Sequence, residues 1–276
     1  MENFDNYDLN ESDQSRYKQP FELSNNQISR FEQVFENLKG DPKFLRSNVG
    51  KIHVPHIVDF KANHSNLKVF KKELQKQSGL VVLLIDVSGS MNGYMDTKNG
   101  NRDKKINCVR DLVANLFSSV ENIPRIELRV FTYSGDYSFN NQGDEQDRLE
   151  ILEIDSLKNC NQIVCSGTTP TPNAIHYVTK KFKDYRKNKT LFVFTDGSPS
   201  SYVNSYTETL LQVKKSLINA ESTHFNIFGL GFCVDNYLDK IMKNSFRENY
   251  INLWNLEDIE KYLFSELENF VRSIRE

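Results

Sequence analysis

The feature that most constrains the fold of this chain is an apolar run that ends abruptly at an acidic residue. Residues 80–85 are only leucine, valine and isoleucine, and the chain then continues Asp86-Val-Ser-Gly-Ser90. An uninterrupted apolar run of this length predicts a strand that is buried on both faces, as in the middle of a parallel sheet. The polar segment is then expected in the loop at the carboxyl end of the strand, where open α/β sheets bind ligands.

The polar residues after this strand suit a hard cation. Asp86, Ser88 and Ser90 offer one carboxylate and two hydroxyls at alternating positions. Oxygen ligands of this kind favour Mg²⁺ or Mn²⁺ over zinc or copper. The motif is short, so the prediction of a metal site depends on further oxygen ligands elsewhere in the chain.

Two other segments supply such ligands. The loop Gly167-Thr-Thr-Pro170 precedes a helix that we predict from Asn173 to about Tyr185. A second apolar run, residues 191–194, ends in Thr195-Asp196-Gly197. The pattern of a buried strand followed by an acidic loop therefore occurs twice, with a hydroxyl-rich loop between the two copies.

Together, the three segments resemble the metal-ion-dependent adhesion site of von Willebrand factor A domains, and the resemblance extends over residues 79 to about 274. In that family two serines and a threonine contact the metal directly, and the aspartates act largely through water. The last coordination position is left for an acidic side chain of a protein partner. The resemblance implies a Mg²⁺ (or Mn²⁺) cofactor at five residues of this chain: Asp86, Ser88, Ser90, Thr169 and Asp196.

The resemblance also guides two finer assignments. Thr169 is preferred to Thr168 as the ligand because it lies five residues before Ala174, the spacing that the family shows to its helix. The residues that rim the site are expected to contact the partner, and they are Gly89, Met91, Asn92, Gly167, Thr168, Gly197 and Ser198.

The chemistry of such a site favours the binding of a carboxylate. Mg²⁺ prefers six oxygen ligands and gives up its waters reluctantly. Neutral hydroxyls and only two carboxylates leave the ion with uncompensated positive charge, which attracts an anionic oxygen from outside. We therefore expect a Glu or Asp of a protein partner to complete the coordination.

The remaining pattern alternates strands and helices. We predict strands at 80–86, 126–133, 149–154, 190–195, 225–231 and 249–253, and helices near 103–119, 173–185, 206–219, 236–243 and 256–274. Residues 134–147 have no helical pattern and predict a long hairpin loop, so strand 149–154 should run antiparallel at a sheet edge. The fold class is α/β: a doubly wound, mostly parallel six-stranded sheet with helices on both faces, as in Rossmann-like domains.

The chain divides into three predicted parts. Residues 1–25 are polar and acidic, which is typical of a disordered tail. Residues 26–78 begin with apolar residues at helical spacing and continue as an extended stretch, so they predict a helical and extended lead-in. Residues 79–276 are expected to form the A domain.

Composition and charge exclude several classes of partner. A net charge of −2 gives no general attraction to nucleic acid or membranes. The basic stretch 61–77 contains no glycine and one aromatic residue, Phe70, so a solvated surface is favoured over a nucleic-acid patch.

No apolar run is long enough to span a membrane, and the amino terminus lacks a hydrophobic secretion segment. The four cysteines show no C-x-x-C pair. We expect a cytoplasmic protein.

No catalytic residue is expected. An aspartate directly after a strand is typical of phosphoryl-transfer hydrolases, but those enzymes show Asp-x-Asp, and here the third position is Ser88. Ser88 and Ser90 also lack the Gly-x-Ser-x-Gly context of a serine nucleophile. The sequence therefore predicts a binding module that is not an enzyme.

The lead-in adds a second, looser resemblance. Residues 50–54 and the Val-Phe-Lys-Lys segment 69–72 are similar to the start of the A domain in CobT-type cobalt chelatases. Cytosolic members of this branch commonly work with a hexameric MoxR-like AAA+ ATPase, which implies an adaptor that binds a target protein for remodelling. The alternatives are a non-catalytic subunit of a CobT-like chelatase or another enzyme complex, and a scaffold protein whose metal site is structural.

Overall fold

The computed structural model describes residues 79–96, 101–120, 126–139, 145–185, 188–201 and 204–255, most helical positions between 258 and 270, and three short strands nearer the amino terminus. The strands are β1 (Phe44–Ser47), β2 (Lys51–Ile52), β3 (Phe70–Glu73), β4 (Gly79–Asp86), β5 (Tyr94–Asp96), β6 (Arg102–Lys104), β7 (Ile126–Phe139), β8 (Glu145–Ile154), β9 (Asn188–Thr195), β10 (Phe225–Phe232) and β11 (Tyr250–Leu253). The helices are α1 (Lys105–Val120), α2 (Thr171–Lys181), α3 (Tyr206–Ser222) and α4 (Asn236–Phe246). Short 3₁₀ turns lie at Gly89–Asn92, Leu157–Gln162 and Arg247–Asn249.

Six of these strands form the central sheet, in the order β11-β10-β9-β4-β7-β8. Strand β4 pairs in parallel with β9 on one side and with β7 on the other. Strand β8 pairs antiparallel with β7 and forms an edge of the sheet. The predicted fold class is confirmed: the sheet has six strands, is mostly parallel and carries one antiparallel edge strand.

Strand β4 lies in the middle of the sheet because both of its faces are apolar. Val81, Leu83 and Ile85 pack into one hydrophobic cluster, together with α1 and the helical residues Leu263, Leu267 and Phe270. Leu80, Val82 and Leu84 pack into the cluster on the other face, which is completed by α2, α3 and α4. Burial of each such side chain stabilises the fold by about 1.5–3 kcal/mol. The position of the motif that follows β4 is therefore strongly determined.

One difference from the prediction is the length of the hairpin formed by β7 and β8. Residues 134–147 were expected to form a loop, yet β7 continues to Phe139 and pairs there with Glu145. Glycine, aspartate and asparagine in this segment favour a loop, whereas the alternating aromatic residues Tyr137 and Phe139 suit a strand. The pairing of two long strands outweighs the local loop preference.

A second difference is the short hairpin of β5 and β6, which the sequence did not predict. Tyr94 pairs with Lys104 and Asp96 with Arg102, and α1 begins directly afterwards at Lys105. Strands of three residues are too short to show a two-residue period, so no sequence pattern marks them. The hairpin lies between the Asp-x-Ser-x-Ser motif and α1.

The amino-terminal strands form a sheet in the order β1-β3-β2, with both pairings antiparallel. The predicted tail, residues 1–25, lies outside the described residues, as does most of the predicted lead-in. The proposed division into tail, lead-in and A domain stays a prediction. Across the described residues, none of the helices combines the length and apolarity that spanning a membrane requires.

Candidate functional site

The two predicted aspartates lie at the ends of neighbouring parallel strands. Asp86 is the last residue of β4, and Asp196 follows the last residue of β9. These strands pair in register, with Ile85 opposite Phe194. Since the carboxyl ends of parallel strands meet at the same edge of a sheet, the two carboxylates come together although the sequence separates them widely.

Asp86 is fully buried, and both of its oxygens accept hydrogen bonds. The backbone N–H of Ser88 donates to Oδ1 over 2.8 Å, and the hydroxyl of Thr195 donates to Oδ2 over 2.9 Å. Burial, and secondarily the charge of Asp196, raises the pKa of Asp86 from 3.8 to about 7. The ionised carboxylate is thus held where water cannot compensate its charge, which is an environment that favours a nearby cation.

A chain of hydrogen bonds connects the two serines to the second aspartate. Ser88 Oγ and Ser90 Oγ lie 3.0 Å apart, and Ser90 Oγ donates to Asp196 Oδ1 over 2.6 Å. Ser88 and Asp196 are buried, whereas Ser90 is exposed. The structure therefore brings Asp86, Ser88, Ser90 and Asp196 into one connected polar cluster that opens to solvent at Ser90.

Thr169 is buried in the loop whose Gly167 contacts Gly89 of the motif. Its backbone N–H donates to Ser200 Oγ, and its carbonyl accepts from the backbone N–H of Ser200, both over 2.9 Å. Thr168 is instead paired through its backbone with Gly135, on the long hairpin. The two threonines thus have different anchors, one in the loop after β9 and one on β7.

Glycines allow the threonine loop to approach both the motif and the hairpin. Gly89 donates its backbone N–H to the carbonyl of Gly167 over 3.2 Å. Gly167 has a φ of 65°, and a Cβ there would lie 2.0 Å from the carbonyl oxygen of Gly135. Only glycine fits this position, because a side chain would meet the hairpin backbone.

The predicted rim residues fall into two groups. Gly89, Asn92 and Gly167 are exposed, and Thr168, Gly197 and Ser198 are partly exposed. Met91 is fully buried in the core. The expectation that Met91 contacts a partner does not fit this position, because the 3₁₀ turn after the motif directs its side chain into the cluster beneath α1.

Two observations bear on whether the site suits a cation. The Ser198 hydroxyl is buried and has no hydrogen-bond partner among the described residues. In the part of the chain that the structure describes, no group of three or more histidine, cysteine or acidic residues is arranged to hold a metal. A metal at this site would therefore depend on hydroxyl oxygens in addition to the two carboxylates, and hard cations accept such ligands.

Lys105 belongs to the site and was missed by sequence reasoning. Its ammonium group donates to Asp196 Oδ2 over 2.8 Å; the lysine side chain is 11% exposed and the aspartate side chain is fully buried. The contact joins residues 91 positions apart, and the unpredicted hairpin precedes the lysine. No local pattern in the sequence signals it.

Comparisons with known proteins agree with this architecture. A structure of the pilus adhesin SpaC from Lactobacillus rhamnosus GG in the open conformation matches with a TM-score of 0.51 and 15% identity, over 73% of this chain and 31% of SpaC. A von Willebrand factor type A protein from Catenulispora acidiphila matches with a TM-score of 0.47 and 12% identity, over 70% of this chain and 42% of that one. The ArnB paralog VWA2 from Sulfolobus acidocaldarius gives a TM-score of 0.42 and 20% identity, over 68% and 44% of the two chains. Of the three, only the SpaC match has a TM-score above 0.5, and at 15% identity it concerns the fold alone.

Two further comparisons concern the sequence. No curated protein matches this chain, whereas a family model does. The family model of the von Willebrand factor type A domain matches residues 81–266, which is more than half of the chain and includes every predicted site residue. This protein therefore belongs to the von Willebrand factor type A domain family.

Proposed function

We propose that this chain is a protein-binding module that docks an acidic side chain of its partner through a divalent cation. Ser88, Ser90 and Thr169 would hold Mg²⁺ or Mn²⁺ directly, and Asp86 and Asp196 would act largely through water. The observation that carries the proposal is the connected polar cluster of Asp86, two serines and Asp196, with distances of 2.6–3.0 Å, open to solvent at Ser90.

The electrostatics of the cluster support a cation. Burial, and secondarily the charge of Asp196, raises the pKa of Asp86, so its ionised form is disfavoured in the metal-free site. The hydrogen bonds from Ser88 and Thr195 only partly offset this burial. When bound, a divalent cation supplies the missing charge and a Lewis-acidic position for an external oxygen. A glutamate or aspartate of the partner would neutralise the remaining charge.

Domains of this family generally serve in protein–protein interaction. The finer role that we propose is a cytoplasmic adaptor, not itself an enzyme, that binds a target protein for a MoxR-like AAA+ ATPase. This role rests on the resemblance of the lead-in to cytosolic members of the family. This chain covers 31% of the adhesin SpaC, so the activity and partners of that whole protein are not part of this proposal.

The proposal is tested by affinity capture from native lysate with wild-type protein, Asp86→Ala and Glu221→Ala, each in Mg²⁺ and in EDTA. Glu221 is an exposed carboxylate near the end of α3, just before β10 begins, so it lies toward the opposite edge of the sheet. A partner retained by wild type and Glu221→Ala only in Mg²⁺, and lost with Asp86→Ala, is the expected result. Metal-dependent docking would be contradicted if the partner is retained equally well in EDTA and by Asp86→Ala.

The same experiment addresses the proposed motor. A MoxR-like AAA+ ATPase among the proteins retained in Mg²⁺ would support the adaptor role. Large chelatase subunits in its place would favour the alternative in which this chain is a non-catalytic subunit of an enzyme complex.

A further inference from the structure

The ammonium group of Lys105 lies within the candidate site and is largely shielded from solvent. Its ammonium group contacts the buried carboxylate of Asp196 at 2.8 Å, and only 11% of its side chain is exposed. The pair of Lys243 and Asp239 on α4 makes a contact of similar length, 2.7 Å, with the lysine side chain 56% exposed. Both side chains of the first pair are therefore desolvated, whereas the lysine of the second pair stays in solvent beside an aspartate side chain that is 15% exposed.

The local fold fixes Lys105 in this position. Its backbone N–H donates to the carbonyl of Gly93 over 2.8 Å, and the N–H of Gly93 donates to the carbonyl of Ser90 over 2.9 Å. The hairpin of β5 and β6 thus returns the chain to the metal-site motif before α1 begins. A Cβ on Gly93 would lie 3.5 Å from Cε of Lys105, so the lysine stem crosses directly over this glycine.

We propose that Lys105 is a built-in cation that weakens the binding of a divalent ion alone and so couples retention of the ion to binding of the partner's carboxylate. The inference rests on the proposed function and deepens it. Asp86 and Asp196 carry two negative charges when ionised, and Lys105 cancels one of them. A divalent ion then leaves the site with one positive charge, which a partner carboxylate neutralises.

The physical basis is repulsion between the ammonium group and the ion in a partly desolvated site. Asp196 already pairs with Lys105 and would also serve the ion, directly or through water, so binding of the ion would either displace Lys105 or bring two like charges together. Both outcomes lower the affinity for the ion. The same positive charge raises the affinity for an anion, and by linkage each ligand strengthens binding of the other.

The test is a titration with Mn²⁺, followed by electron paramagnetic resonance, of wild type, Lys105→Gln, Lys105→Met, Lys105→Arg and Lys243→Met. Glutamine keeps a donor near Asp196 without charge, methionine removes both, and arginine retains the charge. Loss of the charge at Lys105 is expected to strengthen Mn²⁺ binding about tenfold or more. Lys105→Arg and Lys243→Met should bind as wild type does.

A second arm replaces chloride with acetate at equal ionic strength. Acetate should strengthen Mn²⁺ binding by a larger factor in wild type than in Lys105→Gln, because only the wild-type site retains positive charge after the ion binds. Binding of Mn²⁺ to wild type and both neutral variants with equal affinity would overturn the role of Lys105 and leave the metal site intact. Absence of Mn²⁺ binding from every variant would overturn the proposed function together with this inference.

Discussion

Asp86 and Asp196 differ in what stabilises their charge, although both follow neighbouring strands of the sheet. Within the described part of the chain, the hydrogen bonds to Asp86 come from neutral groups, the backbone of Ser88 and the hydroxyl of Thr195. Asp196 receives one from Ser90 and one from the ammonium group of Lys105. One half of the site therefore lacks a compensating cation, and the other half already has one. Removing the charge of Asp86 should therefore stabilise the metal-free protein, whereas removing the charge of Asp196 should destabilise it.

The largest expected effect is the pH dependence of Asp86→Asn in EDTA. The pKa of Asp86 in the folded chain, about 7, lies above the ordinary value of 3.8, so the folded chain binds this proton more tightly than the unfolded chain. The stability that protonation contributes is present below about pH 4 and is lost as the pH rises through 7. Asp86→Asn should be near neutral at pH 4 and stabilising by up to about 4 kcal/mol at pH 8.

Asparagine is tolerated at this position because the hydrogen bonds can rearrange. Its amide oxygen can still accept from Ser88, and the Thr195 hydroxyl can donate instead to the carbonyl of Gly197, at 3.3 Å. Urea unfolding of both proteins at several pH values measures the effect. A stability difference that does not change between pH 4 and pH 8 would show that Asp86 has no raised pKa.

Asp196→Asn is predicted to lower the stability of the metal-free protein, the opposite of the effect of Asp86→Asn. This substitution leaves the ammonium group of Lys105 in a nearly buried position without its carboxylate. We expect a loss of about 2–3 kcal/mol at pH 8 in EDTA, somewhat below the usual cost of breaking a buried pair because the lysine keeps slight exposure. Chemical unfolding measures it, and the double variant Asp196→Asn with Lys105→Met should recover part of the loss. A stabilising effect of Asp196→Asn would contradict a stabilising role of the ion pair between Lys105 and Asp196.

A smaller effect is expected for Thr195→Val, which removes the hydroxyl that donates to Asp86 Oδ2. The two side chains have the same shape, so the change acts mainly through the lost hydrogen bond to Asp86 and the longer contacts of 3.3 and 3.4 Å with Gly197, at about 1 kcal/mol. The destabilisation should be greater at pH 8 than at pH 5, because hydrogen bonds to an ionised carboxylate are the stronger ones. Thermal unfolding at the two pH values checks this, and equal losses would argue that the hydroxyl does not stabilise the carboxylate.

The smallest effect is expected for Lys243→Met, which breaks a pair between neighbouring turns of α4 whose lysine side chain is 56% exposed and whose aspartate side chain is 15% exposed. Pairs of this type contribute about 0.3–0.5 kcal/mol. In both low and high salt, chemical unfolding should give a free energy of unfolding close to that of wild type. A loss comparable to that of Asp196→Asn would mean that burial does not distinguish the two lysine–aspartate pairs.

Much of the fold follows from the sequence because the apolar runs are long and strongly patterned. The run before Asp86 and the run before Asp196 each predict a buried strand, and parallel pairing then brings the two carboxylates to one edge. The positions of Asp86, Ser88, Ser90 and Asp196 in one cluster follow from this pattern. Their binding of a metal stays a prediction.

The features that the sequence did not reveal depend on tertiary contacts without local signatures. The hairpin of β5 and β6 has strands of three residues, which is too short for a recognisable period. Lys105 reaches Asp196 only because that hairpin returns the chain to the motif. Met91 was expected on the rim, but its direction depends on the turn of Gly89–Asn92, which places it in the core.

Binding of a divalent cation at Ser88, Ser90 and Thr169 can be measured by a Mn²⁺ titration followed by electron paramagnetic resonance. The proteins to compare are wild type, Ser90→Ala and Ser222→Ala; Ser222 is an exposed serine at the end of α3 whose hydroxyl bonds only within its own helix in the structure. The account predicts saturable binding of one ion per chain to wild type and Ser222→Ala, with binding lost or greatly weakened in Ser90→Ala. Equal binding by all three proteins, or none by any of them, would contradict it.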